Sequence, residues 1–124
     1  MKFHDSAEMY LETIYLLEKT QGHAHVAEIS KALNISKPSV TKAMELLKSR
    51  DLILKEDYGP VTLTEAGRDL SIKIYERHRV IKAYLSKSLN LSLDEADENA
   101  CRMEHIISEE MFEAIKVYLK EEQV

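Results

Sequence analysis

Three side chains that bind metal ions in proteins stand close together in the run Cys101-Arg102-Met103-Glu104-His105. A thiol, a carboxylate and an imidazole are donors that divalent transition metals accept. If this run continues an amphipathic helix, Cys101, Glu104 and His105 project to one side, with Asp97 one turn earlier, because residues three and four apart share a face. The spacing predicts part of a divalent metal site, whose other ligands must come from elsewhere in the chain.

The same helix has a separate apolar stripe. Its members recur at steps of four, three and four, namely Ala96, Ala100, Met103 and Ile107. This stripe can pack into a core without using any of the polar groups. The alternative to a metal site is that Cys101 is a small packed residue and Glu104-His105 an ordinary part of a helix surface.

Composition limits the classes of protein that this sequence can represent. With 124 residues, of which 44% are hydrophobic, it is long enough for one or at most two small domains. No run of about 18 apolar residues predicts a membrane span, and residues 1–5 lack the apolar segment of a signal peptide. We therefore expect a cytoplasmic protein with no membrane partner. Its single cysteine cannot form an intramolecular disulfide, which leaves the thiol of Cys101 available as a ligand.

Charge is unevenly distributed along the sequence, although the net charge of -5 argues at first against nucleic acid. Residues 37–50 contain four basic residues and one acidic residue, whereas residues 94–122 contain ten acidic residues and three basic ones. This asymmetry predicts a basic contact surface followed by an acidic half that attracts cations.

Residues 23–52 have the pattern of a helix-turn-helix. Val26, Ile29 and Leu33 predict a short helix, residues 34–36 interrupt it, and Ser36 can cap a second helix that tolerates Pro38 in its first turn. Such second helices enter the major groove of DNA by their amino ends. The predicted DNA-contacting residues are Ser36, Lys37, Pro38, Ser39, Thr41 and Lys42. The alternative is an ordinary helical hairpin with a solvated basic face.

A hairpin is predicted directly after the helix-turn-helix. Residues 52–55 and 61–63 favour strands, and the turn between them is rich in residues that break regular structure. A hairpin in this place is the wing of a winged helix. Wings usually lie along the phosphate backbone, but the acidic Glu56 and Asp57 predict weak phosphate binding here.

Four further helices complete the prediction. A first helix covers about residues 6–21 and carries Met9 and Glu12 together on a face next to its apolar stripe. A long helix covers residues 65–89, and Ser92 and Ser108 begin two more. His78 falls on the apolar stripe of the long helix, where a histidine is usually a hydrogen-bonded core residue but is also a candidate ligand. Three helices behind the winged module leave apolar faces to spare, which suggests a homodimer.

These segments together resemble the diphtheria toxin repressor family of metal-dependent transcriptional regulators. The resemblance covers nearly the whole chain, and it depends on the winged module together with three runs, Glu8-Met9-Tyr10-Leu11-Glu12-Thr13-Ile14-Tyr15, Arg77-His78-Arg79 and Cys101-Arg102-Met103-Glu104-His105-Ile106-Ile107-Ser108. It implies a homodimer that binds double-stranded operator DNA when loaded with iron(II) or manganese(II). Larger family members append a domain resembling an SH3 fold, and this sequence ends before it, as in the manganese-sensing branch.

The resemblance also implies a ligand set. Met9, Cys101, Glu104 and His105 match the primary site of the iron-type branch, and His78 matches a ligand position in both branches. The manganese-type branch has carboxylates in the places of Met9 and Cys101, and a glutamate in the place of Glu12. In the ancillary site of the iron branch, the family has an acid in the place of Lys82 and a histidine in the place of Asp97.

We therefore expect a mainly α protein, with an N-terminal winged helix-turn-helix followed by an α-helical metal-binding and dimerisation domain. The expected domains are residues 1–64 and 65–124, with the first helix contributing metal ligands. The expected function is repression of metal homeostasis genes, with Fe²⁺ favoured, Mn²⁺ as the alternative, and no small-molecule substrate. Two other classes stay open at this point. One is a metalloenzyme with an open coordination position, and the other is a winged-helix DNA-binding or interaction module that ignores metal.

Overall fold

The computed structural model describes the backbone of residues 3–122 and the side chains of residues 7–121. In chain order the elements are α1 (Phe3–Gln21), α2 (Val26–Leu33), α3 (Lys37–Ser49), β1 (Ile53–Lys55), β2 (Val61–Leu63), α4 (Glu65–Leu89), α5 (Leu93–Met103) and α6 (Glu109–Glu122). The prediction of a mainly α protein with a winged helix-turn-helix is confirmed. Among the helices in the described ranges, none is both long and apolar enough to cross a membrane.

Two compact units divide the chain, Met1–Ile72 and Lys73–Val124. We call them unit 1 and unit 2. The division falls within α4, whereas the domain boundary predicted from the sequence falls after residue 64, just before that helix begins. Each unit has a core of its own.

Unit 1 contains the winged helix-turn-helix. Its core is made by apolar side chains of α1, α2, α3 and both strands, among them Leu11, Ile14, Ile29, Val40, Met44, Leu47, Ile53 and Val61. Asn34 lies in the left-handed region, with φ 55°, and ends α2. Ser36 then caps α3 by accepting a hydrogen bond from the backbone N–H of Ser39, and Pro38 lies in the first turn of that helix. Both predicted helix boundaries are confirmed.

The wing is a short antiparallel hairpin. Ile53 pairs with Leu63 and Lys55 with Val61. The wing is also joined to the segment before α2, because the N–H of Val61 donates to the carbonyl oxygen of Ala24 at 2.7 Å. At its tip Tyr58 has φ 61°, and its side chain is fully exposed.

The first turn of α4 lies against the end of the helix-turn-helix at Gly67. Thr64 caps the helix, with its hydroxyl accepting from the N–H of Gly67 at 3.0 Å. A Cβ atom at Gly67 would lie 2.0 Å from the carbonyl oxygen of Leu52, which is far inside van der Waals contact. Only glycine fits at this close approach of two backbone segments.

Unit 2 contains the rest of α4 together with α5 and α6. Ile81, Leu85, Ala96, Ala100 and Ile115 form its buried core, with Met103, Ile107 and Phe112 packed against it. Ser92 caps α5 by accepting from the N–H of Glu95 at 3.2 Å, and Ser108 accepts from the N–H of Met111 at 3.1 Å, just before α6. Both predicted helix starts are confirmed.

The sequence-based prediction was wrong about the end of α5. The helix stops at Met103 instead of continuing through His105, and Glu104 is its C-cap residue. Residues 104–106 form a turn in which the carbonyl oxygen of Met103 accepts from the N–H groups of Ile106 and Ile107. Ile107 still packs on the core, but from this turn and not from the helix stripe.

Candidate metal centre and nucleic-acid interface

Glu104 lies at the middle of a polar cluster within unit 2. Its side chain is completely buried, although it carries a carboxylate. Its backbone N–H donates to the carbonyl oxygen of Ala100 at 2.9 Å, and Glu104 is the C-cap residue of α5. A buried carboxylate requires partners that offset its loss of hydration.

His78 of α4 supplies one of those partners. Its Nδ1 lies 2.8 Å from Oε2 of Glu104, and its Nε2 lies 2.8 Å from Oδ1 of Asp97. Ionised carboxylates only accept hydrogen bonds, so both ring nitrogens donate and the ring is an imidazolium when both acids are charged. The side chain of His78 is 12% exposed, which agrees with the inward position that its stripe predicted.

Asp97 lies at the outer edge of this cluster and is more than half exposed. The hydrogen bond from His78 lowers the pKa of Asp97 below its usual range, against a smaller opposing effect of partial burial. Lys82 adds to the lowering, with its Nζ 3.3 Å from Oδ1 of Asp97. Lys82 therefore stands beside Asp97 as a counter-charge.

His105 and Cys101 complete the group. Nε2 of His105 lies 3.0 Å from Oε1 of Glu104, so that each oxygen of this buried carboxylate faces an imidazole. The exposed Cys101 has its Sγ within 4.8 Å of a carboxylate oxygen of Glu104. Unit 2 thus brings together five of the predicted ligands from α4, α5 and the turn after α5.

The donor set of this cluster fits a divalent transition metal. It combines imidazole nitrogens, carboxylate oxygens and one thiol, the mixture that iron(II) and its neighbours accept. The complete burial of the Glu104 carboxyl group is the feature that an ordinary helix surface does not explain. Met9 and Glu12 lie three residues apart on α1 in unit 1. That they share an ion with the unit 2 group stays a prediction.

Sequence reasoning missed the role of Arg77. Its guanidinium donates to Oε1 of Glu109 at 2.7 Å and to the carbonyl oxygen of Ile107 at 2.8 Å. It therefore ties the turn after α5 to α4, on which His78 is the next residue. The only signal in the sequence was its place in the Arg77-His78-Arg79 run.

The predicted DNA-contacting residues lie together at the start of α3. All six, Ser36, Lys37, Pro38, Ser39, Thr41 and Lys42, are exposed. The opposite side of the helix packs into the core through Val40, Met44 and Leu47. Since Pro38 has no N–H and Ser36 caps the helix, this end is stable in solvent without a protein partner. The exposed face can therefore meet a ligand as large as a duplex.

Two domains of one known protein family together match almost the whole chain. Residues 2–61 match the iron dependent repressor N-terminal DNA binding domain. Residues 64–123 match the iron dependent repressor metal binding and dimerisation domain. All six DNA-contacting candidates fall in the first match, and His78 and the cluster around Glu104 fall in the second.

Individual known proteins are also similar to this chain over most of its length. An uncharacterized HTH-type transcriptional regulator of Methanocaldococcus jannaschii is 36% identical over 93% of this chain and 93% of its own. The diphtheria toxin repressor of Corynebacterium diphtheriae is 29% identical over 94% of this chain but only 52% of its own length. The solved structure of the manganese regulator SloR has a TM-score of 0.79 and 31% identity, covering 92% of this chain and 53% of that one.

Proposed function

Since the chain belongs to the iron-dependent repressor family, whose members include the diphtheria toxin repressor, we propose that it represses transcription by binding operator DNA as a metal-loaded homodimer. The observation that carries this proposal is the fully buried Glu104 with an imidazole at each oxygen, inside the segment that matches the metal-binding domain. A winged helix with an exposed, basic recognition helix supplies the DNA-binding half.

The proposed ligands are Met9, Glu12, His78, Cys101, Glu104 and His105, with Asp97 at the edge. When bound, a divalent ion supplies positive charge next to the buried carboxylate and links donors that lie on different elements. The protein's own residues prepare this arrangement. Arg77 holds the turn that carries Glu104 and His105, and the hydrogen bond from His78, with Lys82 as a smaller contributor, lowers the pKa of Asp97.

Regulation follows from linkage between two binding reactions. Met9 and Glu12 belong to α1, which packs against α2 and α3 in the core of unit 1. If these two residues share an ion with the unit 2 ligands, metal binding orders the helices that carry the recognition surface. Metal affinity and operator affinity then rise together by the same factor.

The homodimer explains how one small winged helix recognises an operator. Two copies related by a twofold axis present two recognition helices to two half-sites about one helical turn apart. Unit 2 exposes several large apolar side chains, namely Leu89, Leu93, Ile106, Met111 and Val117, that a partner copy can cover. The matched dimerisation domain lies in the same part of the chain.

Iron(II) is the metal we favour, and the reason is ligand softness. The thioether of Met9 and the thiolate of Cys101 suit iron(II) better than manganese(II), which prefers carboxylates, carbonyls and water. Glu12 favours manganese(II) by the same argument. The matched family is that of iron dependent repressors, whereas the similar structure of SloR is that of a manganese regulator.

A DNA-binding titration tests the function. The protein is purified without oxygen, its metal content is measured, and binding to an operator selected from random duplexes is followed with and without a chelator. We expect the chelator to weaken binding and added iron(II) to restore it. Equal binding in the two conditions would favour a metal-independent winged-helix module. One observation favours that second candidate, because hydrogen bonds to Asp97 and Glu104 give His78 a structural role.

Substitution of the two sulfur ligands tests the choice of metal. The double variant Met9→Asp with Cys101→Glu should shift the response towards manganese(II), while Lys116→Gln, an exposed change on α6, serves as the control. If the unmodified protein binds its operator equally well with manganese(II) and iron(II) at the same concentration, under conditions that keep Cys101 reduced, the softness argument is wrong.

A further inference from the structure

A second group of metal-binding side chains lies in unit 1, apart from the residues assigned above. His23, His25 and Glu28 each offer one ligand atom, and these three atoms lie within 4.8 Å of one another. The first two residues stand in the segment between α1 and α2, and the third lies in the first turn of α2.

The wing places the two histidines side by side. Ala24 between them forms a bridge with Val61 of β2, so that the backbone here is paired like a strand. In extended backbone, residues two apart project to the same side. The ring centroids of His23 and His25 accordingly lie 5.1 Å apart.

Glu28 brings the carboxylate to the same point. Its Oε1 accepts from the backbone N–H of His25 at 2.8 Å and lies 3.3 Å from Nδ1 of His23, and its Oε2 accepts from the side chain of Gln21. An ionised carboxylate has about four acceptor positions, so these contacts leave room for a cation.

One of the three distances between ligand atoms matches a tetrahedral ion. Zinc binds imidazole nitrogen and carboxylate oxygen at about 2.0–2.1 Å, which puts neighbouring ligands of a tetrahedron about 3.3 Å apart. The measured 3.3 Å between Nδ1 of His23 and Oε1 of Glu28 equals that edge. An ion can also enter from solvent, since the His23 side chain is 51% exposed and that of Glu28 is 31% exposed.

We propose that His23, His25 and Glu28 form a separate site for a late divalent cation of the zinc type, with solvent in the remaining coordination position. Two neutral imidazoles and one carboxylate are the ligand types that such ions prefer. Because Ala24 between the histidines is hydrogen-bonded to β2, an ion here fixes the start of α2 relative to the wing. The site uses no residue of the metal centre in unit 2 and does not depend on the function proposed above.

Titration of the full-length protein with zinc chloride tests the site, followed by the ring ¹H–¹⁵N NMR signals of each histidine. We expect the ring nitrogens of both His23 and His25 to shift together and saturate. Slower hydrogen exchange of the Val61 N–H should accompany this. If zinc shifts only the rings of His78 and His105 while those of His23 and His25 stay unchanged up to millimolar concentration, the proposal is wrong.

Single-residue variants distinguish specific zinc binding at this site from nonspecific binding to the protein surface. His23→Gln removes one ligand from an exposed position and leaves the hydrogen bond between His25 and Glu28 intact, so the fold should persist. We expect the zinc affinity reported by the His25 ring to fall at least about tenfold. Asp69→Asn, an exposed acid on α4 in the same unit, is the matched control and should leave it unchanged. Equal affinity in His23→Gln and in the unmodified protein would overturn the assignment.

Discussion

A buried carboxylate lowers stability unless its charge is matched; at Glu104, Oε2 is hydrogen-bonded to His78 and Oε1 lies 3.0 Å from Nε2 of His105. The two imidazoles belong to different segments, because His78 lies on α4 and His105 on the turn after α5. Each ring therefore has two effects, one on the fold of unit 2 and one on the affinity for an ion. These effects can be measured separately.

His78→Ala should change both the stability of the fold and the binding of metal. Removing the ring leaves Oε2 of Glu104 without this partner, which should lower the free energy of unfolding of the metal-free protein by about 3 kcal/mol. If His78 is a ligand, metal affinity should also fall at least about tenfold. Chemical denaturation and metal titration check the two effects. Arg79→Ala, an exposed neighbour on the same helix, is the control. An equal loss of stability in metal-free and metal-loaded protein would instead make His78 a core residue only.

Asp97→Asn should change how the stability of the metal-free protein depends on pH. The hydrogen bond from His78 lowers the pKa of Asp97 in the folded protein, so the charged form contributes stability that is present above the unfolded pKa. That contribution is lost as pH falls from about 4 through the lower, folded pKa. The difference in unfolding free energy between the protein and this variant should therefore shrink below about pH 4.

Urea denaturation between neutral and acidic pH, in the presence of a chelator, checks this expectation. Asp94→Asn, an exposed acid in the first turn of the same helix, is measured in parallel as the control. A difference that stays constant down to pH 2 would contradict the role given to the hydrogen bond between His78 and Asp97.

The members of the unit 2 cluster could be named from the sequence, but their contacts could not. His78 was predicted to face inward because it interrupts an apolar stripe, and this is confirmed. The burial of Glu104 was missed, since no glycine or proline marks the end of α5 at Met103. The helix ends there because the following turn is held by Arg77 and by packing on the core. These are tertiary contacts, which the periodicity of a helix does not report.

At the scale of elements, the amino end of α3 should carry the affinity for DNA. Lys42→Ala removes an exposed positive charge from this end, so it should weaken operator binding and lower the salt slope by about one unit if the lysine meets a phosphate. Lys48→Ala removes the same charge from the other end of the helix and should have little effect. Binding isotherms at several salt concentrations compare the two. Unchanged affinity and slope after combined Lys37→Ala and Lys42→Ala substitution would mean that α3 is not the recognition helix.

The contact between α4 and the end of the helix-turn-helix should tolerate no side chain at Gly67. A Cβ there would lie 2.0 Å from a backbone oxygen, so the helix or the segment around Leu52 must move. We expect Gly67→Ala to lower the free energy of unfolding by about 3 kcal/mol. The exposed neighbour provides the control variant, Ala66→Ser, which should be close to neutral. A Gly67→Ala protein as stable as this control would show that the backbone approach is looser than described.

Helix starts were easier to predict than helix packing. Ser36, Ser92 and Ser108 were all expected to begin helices, and each accepts a hydrogen bond from the N–H three residues later. Such caps are local in sequence, so a single chain reveals them. The close approach at Gly67 joins residues from separate elements, and nothing in the local sequence distinguishes this glycine from any other.

For the whole molecule, the two binding reactions should be coupled. The metal concentration at half-saturation should fall when saturating operator is present, by the same factor by which metal raises operator affinity, typically 5- to 150-fold. Metal titrations with operator and with a scrambled duplex of equal length measure this factor. A midpoint that is the same with both duplexes would contradict linkage between the two units' ligands.

The conformation of Tyr58 at the wing tip has a consequence for how this sequence would change over generations. A left-handed backbone costs a residue with a side chain about 1 kcal/mol, and a fully exposed ring gains nothing from burial in return. Drift under selection for folding alone would favour glycine or asparagine at this position, since both adopt that conformation readily. A library randomised at residue 58 and selected only for resistance to protease should therefore lose tyrosine. Selection of the same library for operator binding measures whether the Tyr58 ring contributes to binding DNA.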